Sequence, residues 1–465
     1  RSNPKSGKIM NILLIVNDTL RADHLGCYGY FRKTSPNMDE LAEHGITFEE
    51  FYASGVCTGT SFTGIHTGLY PIHHGVYNVT PPDLMLDDTP TLAEILRAQG
   101  YTTVAFDNLA HNRSWSQDPV HYYRGFENYV SDISNPNDWN DLGERVRADW
   151  YNDRLIPWLA THRQDKFFAF VHYWDVHQPY TQPESYRSLF QHKKGDLSDL
   201  EIRDAAAGYR YVPGWGQVDE LYEGYGVVPE QRSPGTVPSR EASVDLYDGA
   251  VSYVDHCIGE VLDQLKKTEL LQDTLVIVTS DHGELLGQHG IYTHVNLYDA
   301  NIHVPLIISC PGQLDQGKRI KGFASQVDLL PTILDLAGVA NTAQVDGVSL
   351  RTLIDGENIR EEVISEDGGG IRAIRVGDWK LIFYCQDTEV ELYNVARDPM
   401  EIVNLAQQEE DKVKELMRKL HLWVESNLKQ GVEDPMEYVR RNTNFREDYQ
   451  KLFMERYRGK GFVHG

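Results

Sequence analysis

Short, mostly apolar runs alternate with helical periodicity through the first three quarters of the chain. Ile9–Val16, Thr102–Phe106, Phe167–Tyr173, Leu275–Val278 and Val304–Ser309 have the make-up of strands covered on both faces. Helical signals fill the intervals. Asn37–Gly45 reads as a short helix closed by Gly45. Thr91 and Glu94 have capping-box spacing just after Pro90, and Gly100 ends the helix they open. Val244, Tyr247, Val251, Val254, Ile258, Val261 and Leu265 recur at three- and four-residue steps, which predicts a helix over Glu241–Lys267. A further helix is expected over Asp328–Leu336. Such alternation predicts an α/β fold with a parallel or mixed sheet covered by helices.

The pattern changes near residue 360. Glu362–Glu366, Ile371–Val376, Trp379–Cys385 and Val390–Tyr393 read as an antiparallel sheet, with Gly377-Asp378 as a hairpin turn. Glu409–Asn427 is amphipathic and suited to cover that sheet. The expected division is therefore residues 1–360 as the catalytic α/β domain and 361–465 as a small-sheet subdomain with a tail. Residues 181–240 lack periodicity and are rich in Gly, Pro and Tyr. They are expected to form an insertion serving as a lid or pocket wall, with Tyr209, Tyr211 and Trp215 among its aromatics. The tail after Gly431 suits docking on a second copy, so a homo-oligomer is expected.

Charge and cysteine usage narrow the function classes. The 465 residues carry a formal net charge of −25, which disfavours nucleic acid as a partner. No apolar run is long enough to span a membrane. The five cysteines are scattered, without a CxxC pair. That usage points to a reducing cytoplasm, a reading that a signal peptide removed during maturation would override.

Candidate chemistry gathers where apolar runs end. Asp18 follows the first run, Asp107-Asn108 the second, and Asp281-His282 the run Leu275–Val278; His172, Asp175 and His177 lie at or beyond the end of Phe167–Tyr173. Carboxylates at the ends of parallel strands face one crevice, and two Asp with a His suit a divalent cation such as Ca²⁺ or Mn²⁺. The stretch Ser54-Gly55-Val56-Cys57-Thr58-Gly59-Thr60-Ser61 is expected to turn tightly through its glycines and present a nucleophile. A helix beginning there would favour an anion and lower the thiol pKa. Cys57 by itself is more often explained as a small buried residue than as a nucleophile. His177 and His294 are candidate donors to substrate oxygens, and Asn78, Asn108 and Thr60 are candidate hydrogen-bonding groups. Loop histidines and turn asparagines also serve plain structural roles, which is the competing reading of each.

Several segments in order resemble the sulfatase family of the alkaline phosphatase superfamily. Asn11 through Gly29, with Asp18-Thr19 inside it, resembles that family's opening metal-binding strand. Ser35-Pro36-Asn37-Met38-Asp39 and Thr67-Gly68-Leu69-Tyr70-Pro71 resemble its next landmarks. Ser280-Asp281-His282-Gly283-Glu284 resembles its second metal segment, and Glu391-Leu392-Tyr393-Asn394 its C-terminal part. The resemblance implies a large central mixed sheet between helices and a small C-terminal antiparallel sheet. It implies one divalent cation held by Asp18, Asp281 and His282 together with Cys57, with Thr19 beside them, and oxidation of Cys57 to formylglycine. His177 matches a substrate-binding histidine. A small anionic ester is the implied substrate: a sulfate ester, or alternatively a phosphodiester or phosphonate monoester. A non-catalytic anion-binding member is the third reading. Two departures stand out. Gly59 and Ser61 replace the Pro or Ala and the Arg that follow the family's cysteine, and Asn108 and His294 stand where many members carry Lys.

Overall fold

The computed structural model describes residues 11–77, 89–109, 123–131, 146–178, 180–190, 240–291, 294, 296–368, 370–385, 388–428 and 434. Asn78, most of the 181–240 insertion with its aromatics, and the tail from Gly431 apart from Asp434 lie outside the described residues.

The main sheet has eight strands: β1 (Asn11–Asn17), β2 (Ile46–Phe48), β4 (Thr102–Phe106), β5 (Asn128–Val130), β6 (Phe167–Tyr173), β7 (Thr274–Ser280), β8 (Leu306–Ser309) and β9 (Lys318–Ile320). β3 (Phe51–Tyr52) pairs separately with β10 (Ala324–Ser325). The main order is β5-β4-β6-β1-β7-β8-β2-β9. β5, β4, β6, β1 and β7 run parallel, and β8 is antiparallel to both its neighbours. β1, β6 and β7 are buried at every position, which explains their nearly continuous apolar sequence.

Alternation along β1 assigns its side chains to two cores. Ile12, Leu14 and Val16 face a core that includes Phe62, Leu96 and Leu330; Leu13 and Ile15 face the core of Tyr151, Leu155, Val254 and Val261. Helix Arg240–Lys267 carries the expected heptad-like stripe into the second core. The helix after Pro90 begins with the expected capping box between Thr91 and Glu94. Helix Ala148–Thr161 was not anticipated from the sequence; Pro157 and its several aromatics blur its periodicity. Asp175 accepts from Ala148 N at 2.7 Å and so holds the start of that helix.

A four-stranded antiparallel sheet follows: β11 (Glu362–Asp367), β12 (Ile371–Val376), β13 (Trp379–Tyr384) and β14 (Glu389–Asn394). Helix Glu410–Asn427 lays Leu416, Leu420 and Val424 onto Ile364, Ile374, Leu381 and Leu392. The edge strand β11 reaches the Cys57 loop directly. Glu366 N donates to Ser54 O at 3.0 Å, Ser365 Oγ donates to Ala53 O at 2.6 Å, and Gly55 bridges Glu366.

Candidate active site

Adjacent parallel strands end on one crevice. In sheet order, β4 delivers Asp107, β6 delivers His172, β1 delivers Asp18 and β7 delivers Asp281. The backbone after β1 is bent sharply: Thr19 adopts φ 58°, an unfavourable conformation for a β-branched residue. Thr19 N donates to Asp281 Oδ1 at 3.1 Å, and Tyr247 Oη donates to Thr19 O at 2.7 Å. His282 N donates to Asp281 Oδ1 at 2.7 Å. The bonds to Oδ1 fix the Asp281 carboxylate and leave its Oδ2 without a hydrogen bond.

The remaining donor atoms have no hydrogen-bond partner although they are buried. They are Asp18 Oδ1 and Oδ2, Asp281 Oδ2, His172 Nε2 and His282 Nε2, with Thr19 Oγ1 in the same condition. One ligand atom each from Asp18, His172 and Asp281 lies within 4.8 Å of the others. His282 Nε2 lies 3.3 Å from Asp281 Oδ2. Buried polar atoms without partners are costly, and two unpaired carboxylates in one buried place are more so. Burial and the nearby Asp18 push the Asp281 carboxyl above the usual range. Burial also opposes ionisation of Asp18, but His177, His172 and His282 outweigh it and hold Asp18 well below that range. A divalent cation satisfies this donor set, and carboxylate oxygens with imidazole nitrogens fit one.

A row of imidazoles continues from the carboxylates. The His282 and His294 ring centroids are 4.3 Å apart, and those of His294 and His177 are 5.2 Å apart. Burial lowers the affinity of His294 for a proton, but Glu284, 3.3 Å from its Nδ1, more than offsets this and raises its pKa. His177 Nδ1 contacts Gln178 O. The structure thus brings Asp18, Asp281, His282, His177 and His294 together, and adds His172 and Glu284, which sequence reasoning did not assign. His172 was visible as a polar residue at the end of an apolar strand; nothing in its spacing announced a partner at Asp107.

Cys57 is the N-cap of helix Thr58–Thr67 and is partly exposed. The expected tight turn is therefore a helix start: Gly59 lies inside the first helical turn, and its carbonyl accepts from Thr63 Oγ1 at 2.6 Å. Gly55 is needed for closeness, since a Cβ there would lie 2.5 Å from Thr60 Cγ2. Ser61 is buried and donates to Gly55 O at 2.8 Å, so no cation comes from this position. Thr60 is buried with Oγ1 unpartnered. Asn108 follows Asp107 past β4, on the same edge of the sheet.

Comparison with known proteins agrees with this architecture. A phosphonate monoester hydrolase of Agrobacterium radiobacter superposes with a TM-score of 0.73 at 22% identity, covering 91% of this chain and 97% of that one. That likeness is one of fold: a large mixed sheet between helices with a small antiparallel sheet beside it. A family model described as Sulfatase matches residues 10–339, and one described as N-sulphoglucosamine sulphohydrolase, C-terminal, matches residues 287–430. The chain belongs to the sulfatase family, which comprises sulfuric ester hydrolases. Among relatives, a choline-sulfatase of Rhizobium meliloti (strain 1021) is 26% identical over 446 residues, covering 85% of this chain and 82% of its own. Arylsulfatase K of Mus musculus is 25% identical over 436 residues, covering 85% and 76%. Among the described residues, no helix is long and apolar enough to cross a membrane.

Proposed function

We propose that this protein is a metal-dependent hydrolase of small anionic sulfate esters. The observation that carries the reading is the convergence of buried, unpartnered donors of Asp18, Asp281, His172 and His282 at the carboxyl edge of the sheet. A divalent cation, Ca²⁺ or Mn²⁺, would be held by Asp18 and Asp281 with His282 and the side chain at position 57, and would draw charge from the ester oxygens as they become more negative. Oxidation of Cys57 to formylglycine would supply an oxygen nucleophile in place of a thiolate.

This chain's own residues do the rest. The Thr58–Thr67 helix places position 57 at its N-terminus, where the helix dipole favours an anionic nucleophile. His177 and His294 face the ester as imidazole donors, and Thr60 and Asn108 are proposed as substrate contacts with Asn78. Glu284 raises the proton affinity of His294 against the effect of burial, which suits its ring to give a proton to the departing oxygen.

Two measurements test the reading. Turnover of an aryl sulfate by metal-loaded protein, abolished by chelation, supports it; no turnover with any divalent cation rejects it. Intact mass of protein made together with a formylglycine-generating enzyme decides the nucleophile: a loss of about 18 Da at Cys57 marks conversion of thiol to aldehyde. Full activity at unmodified mass rejects that chemistry.

A specific observation favours a second reading. Ser61, Asn108 and His294 remove fixed cations, and Ser61 is spent on a backbone carbonyl. A site whose positive charge comes from imidazoles suits a less anionic ester, such as a phosphodiester or phosphonate monoester. An aryl phosphodiester turned over faster than the matched aryl sulfate would favour it.

A further inference from the structure

Five neighbouring strands of the parallel half each contribute one side chain to a single line. Tyr129 of β5 donates its hydroxyl to Asp107 Oδ2, just past β4. Asp107 Oδ1 lies 2.6 Å from His172 Nδ1 on β6. His172 Nε2 lies 3.6 Å from Asp18 Oδ2, past β1, and Asp281 past β7 closes the line. His172 and Asp18 are 0% exposed and Asp107 is 1% exposed.

The chemistry of this line is directional. Both Asp107 oxygens are engaged, one by Tyr129 and one by His172, so Asp107 is fixed. A carboxylate on Nδ1 keeps the proton of a neutral imidazole there and turns the Nε2 lone pair outward. That lone pair enters the cluster of unpartnered oxygens. A direct charge-assisted hydrogen bond would bring Nε2 and Asp18 Oδ2 to about 2.7–2.9 Å, and they are further apart. Two donors bound to one cation at about 2.1 Å each can lie up to about 4.2 Å apart, which accommodates the observed spacing.

We infer that His172 Nε2 is an additional ligand of the cation, oriented by the positioning residues Asp107 and Tyr129, and that it gives the centre a preference for Mn²⁺ over Ca²⁺. Ca²⁺ takes oxygen ligands and gains little from an imidazole, whereas a transition cation accepts nitrogen readily. This deepens the metal-dependent reading above and rests on it.

Titrations of Mn²⁺ and of Ca²⁺ into metal-free protein test the preference. In His172→Gln the Mn²⁺ Kd is expected to rise by about 10-fold or more while the Ca²⁺ Kd changes far less, and Asp107→Asn is expected to move the ratio in the same direction by less. Equal weakening of both cations, or no change in either, overturns the inference. Pulsed EPR of the Mn²⁺ form reads the ligand itself: His172→Gln should lose one coordinated imidazole nitrogen, and an unchanged count overturns the assignment. If His172→Gln does not fold, His282→Gln carries the same measurement. A Mn²⁺ centre still coupled to nitrogen then supports His172, and one without nitrogen rejects it. Wild-type protein that binds no divalent cation fails the broader functional reading; binding without His172 fails only this inference.

Discussion

Glu284 Oε1 lies 3.3 Å from Nδ1 of His294, in a pocket where Glu284 is almost fully buried. Burial alone would discharge the imidazole, and this carboxylate reverses that. Replacing Glu284 by Gln keeps the shape and removes the charge, so the His294 pKa falls. A general acid is active below its pKa, so activity declines as pH rises through it. The alkaline limb of kcat/KM should therefore move to lower pH in Glu284→Gln. An unmoved limb would remove His294 from the role of proton donor.

Asp18 and Asp281 make a second case, in which function and stability oppose each other at Asp281 and not at Asp18. Asp18→Asn and Asp281→Asn each remove a charge that would balance the proposed cation, so each should lower metal affinity and kcat/KM by at least about 100-fold. In chelator Asp281→Asn should melt no lower than wild type, because burial and Asp18 disfavour its charge, whereas Asp18→Asn should melt lower, because His177, His172 and His282 stabilise the charge it removes. Added metal should raise the melting temperature of wild type and not of the variants. Wild-type metal content and activity in either variant would refute the assignment.

The sheet was legible because β1, β6 and β7 are buried on both faces and must be apolar throughout. β4, β12 and the Thr91–Glu94 cap likewise followed from local pattern and side-chain chemistry. β2, β3, β5, β9 and β10 were not legible: none exceeds three residues, too short to show a period. Asp18, Asp281 and His282 stood out because polar groups ended apolar runs. Asp107 and His172 stood at strand ends too, but their pairing depends on β4 lying beside β6, a relation across 65 residues that no local pattern encodes. At the Cys57 stretch the helix start was legible, but the role of the glycines was not: Gly59 lies inside the helix rather than in a turn, and Gly55 serves a close contact.

His73 ties the C-terminal helix to the main domain. Its Nδ1 donates to Asp346 Oδ2 at 2.7 Å and its Nε2 donates to the Asn427 carbonyl at 2.8 Å. Donation from both nitrogens requires the imidazolium, and the bond to Asp346 raises the pKa despite partial burial. A folded pKa above the unfolded value of about 6.5 gives stabilisation that is complete below about pH 6.5. It is lost as pH rises through the raised folded pKa. Hydrogen exchange over residues 410–427 should therefore quicken beyond its ordinary base catalysis as pH rises past neutrality. His73→Gln should exchange faster at low pH and show a smaller excess. Identical pH dependence in the two proteins would deny His73 this role.

Gly55 offers a test of how the small sheet supports the Cys57 loop. A Cβ at this position would lie 2.5 Å from Thr60 Cγ2 and 3.0 Å from the Glu366 carbonyl oxygen. Neither neighbour yields easily. Thr60 is a buried, β-branched helical residue with little rotamer freedom, and Glu366 is held through Ile72 N at 3.0 Å and Arg372 Nε at 2.9 Å. Gly55→Ala should therefore push the loop off β11 and cost about 1–3 kcal/mol, measured by denaturant unfolding. Because Gly55 lies two residues before the Cys57 cap, kcat should fall as well. Thr60→Ser removes the clashing methyl and keeps the hydroxyl. Adding it to Gly55→Ala should restore part of both losses, leaving the share due to the Glu366 carbonyl. If the double variant recovers neither stability nor kcat, the contact between residues 55 and 60 does not set the position of the loop.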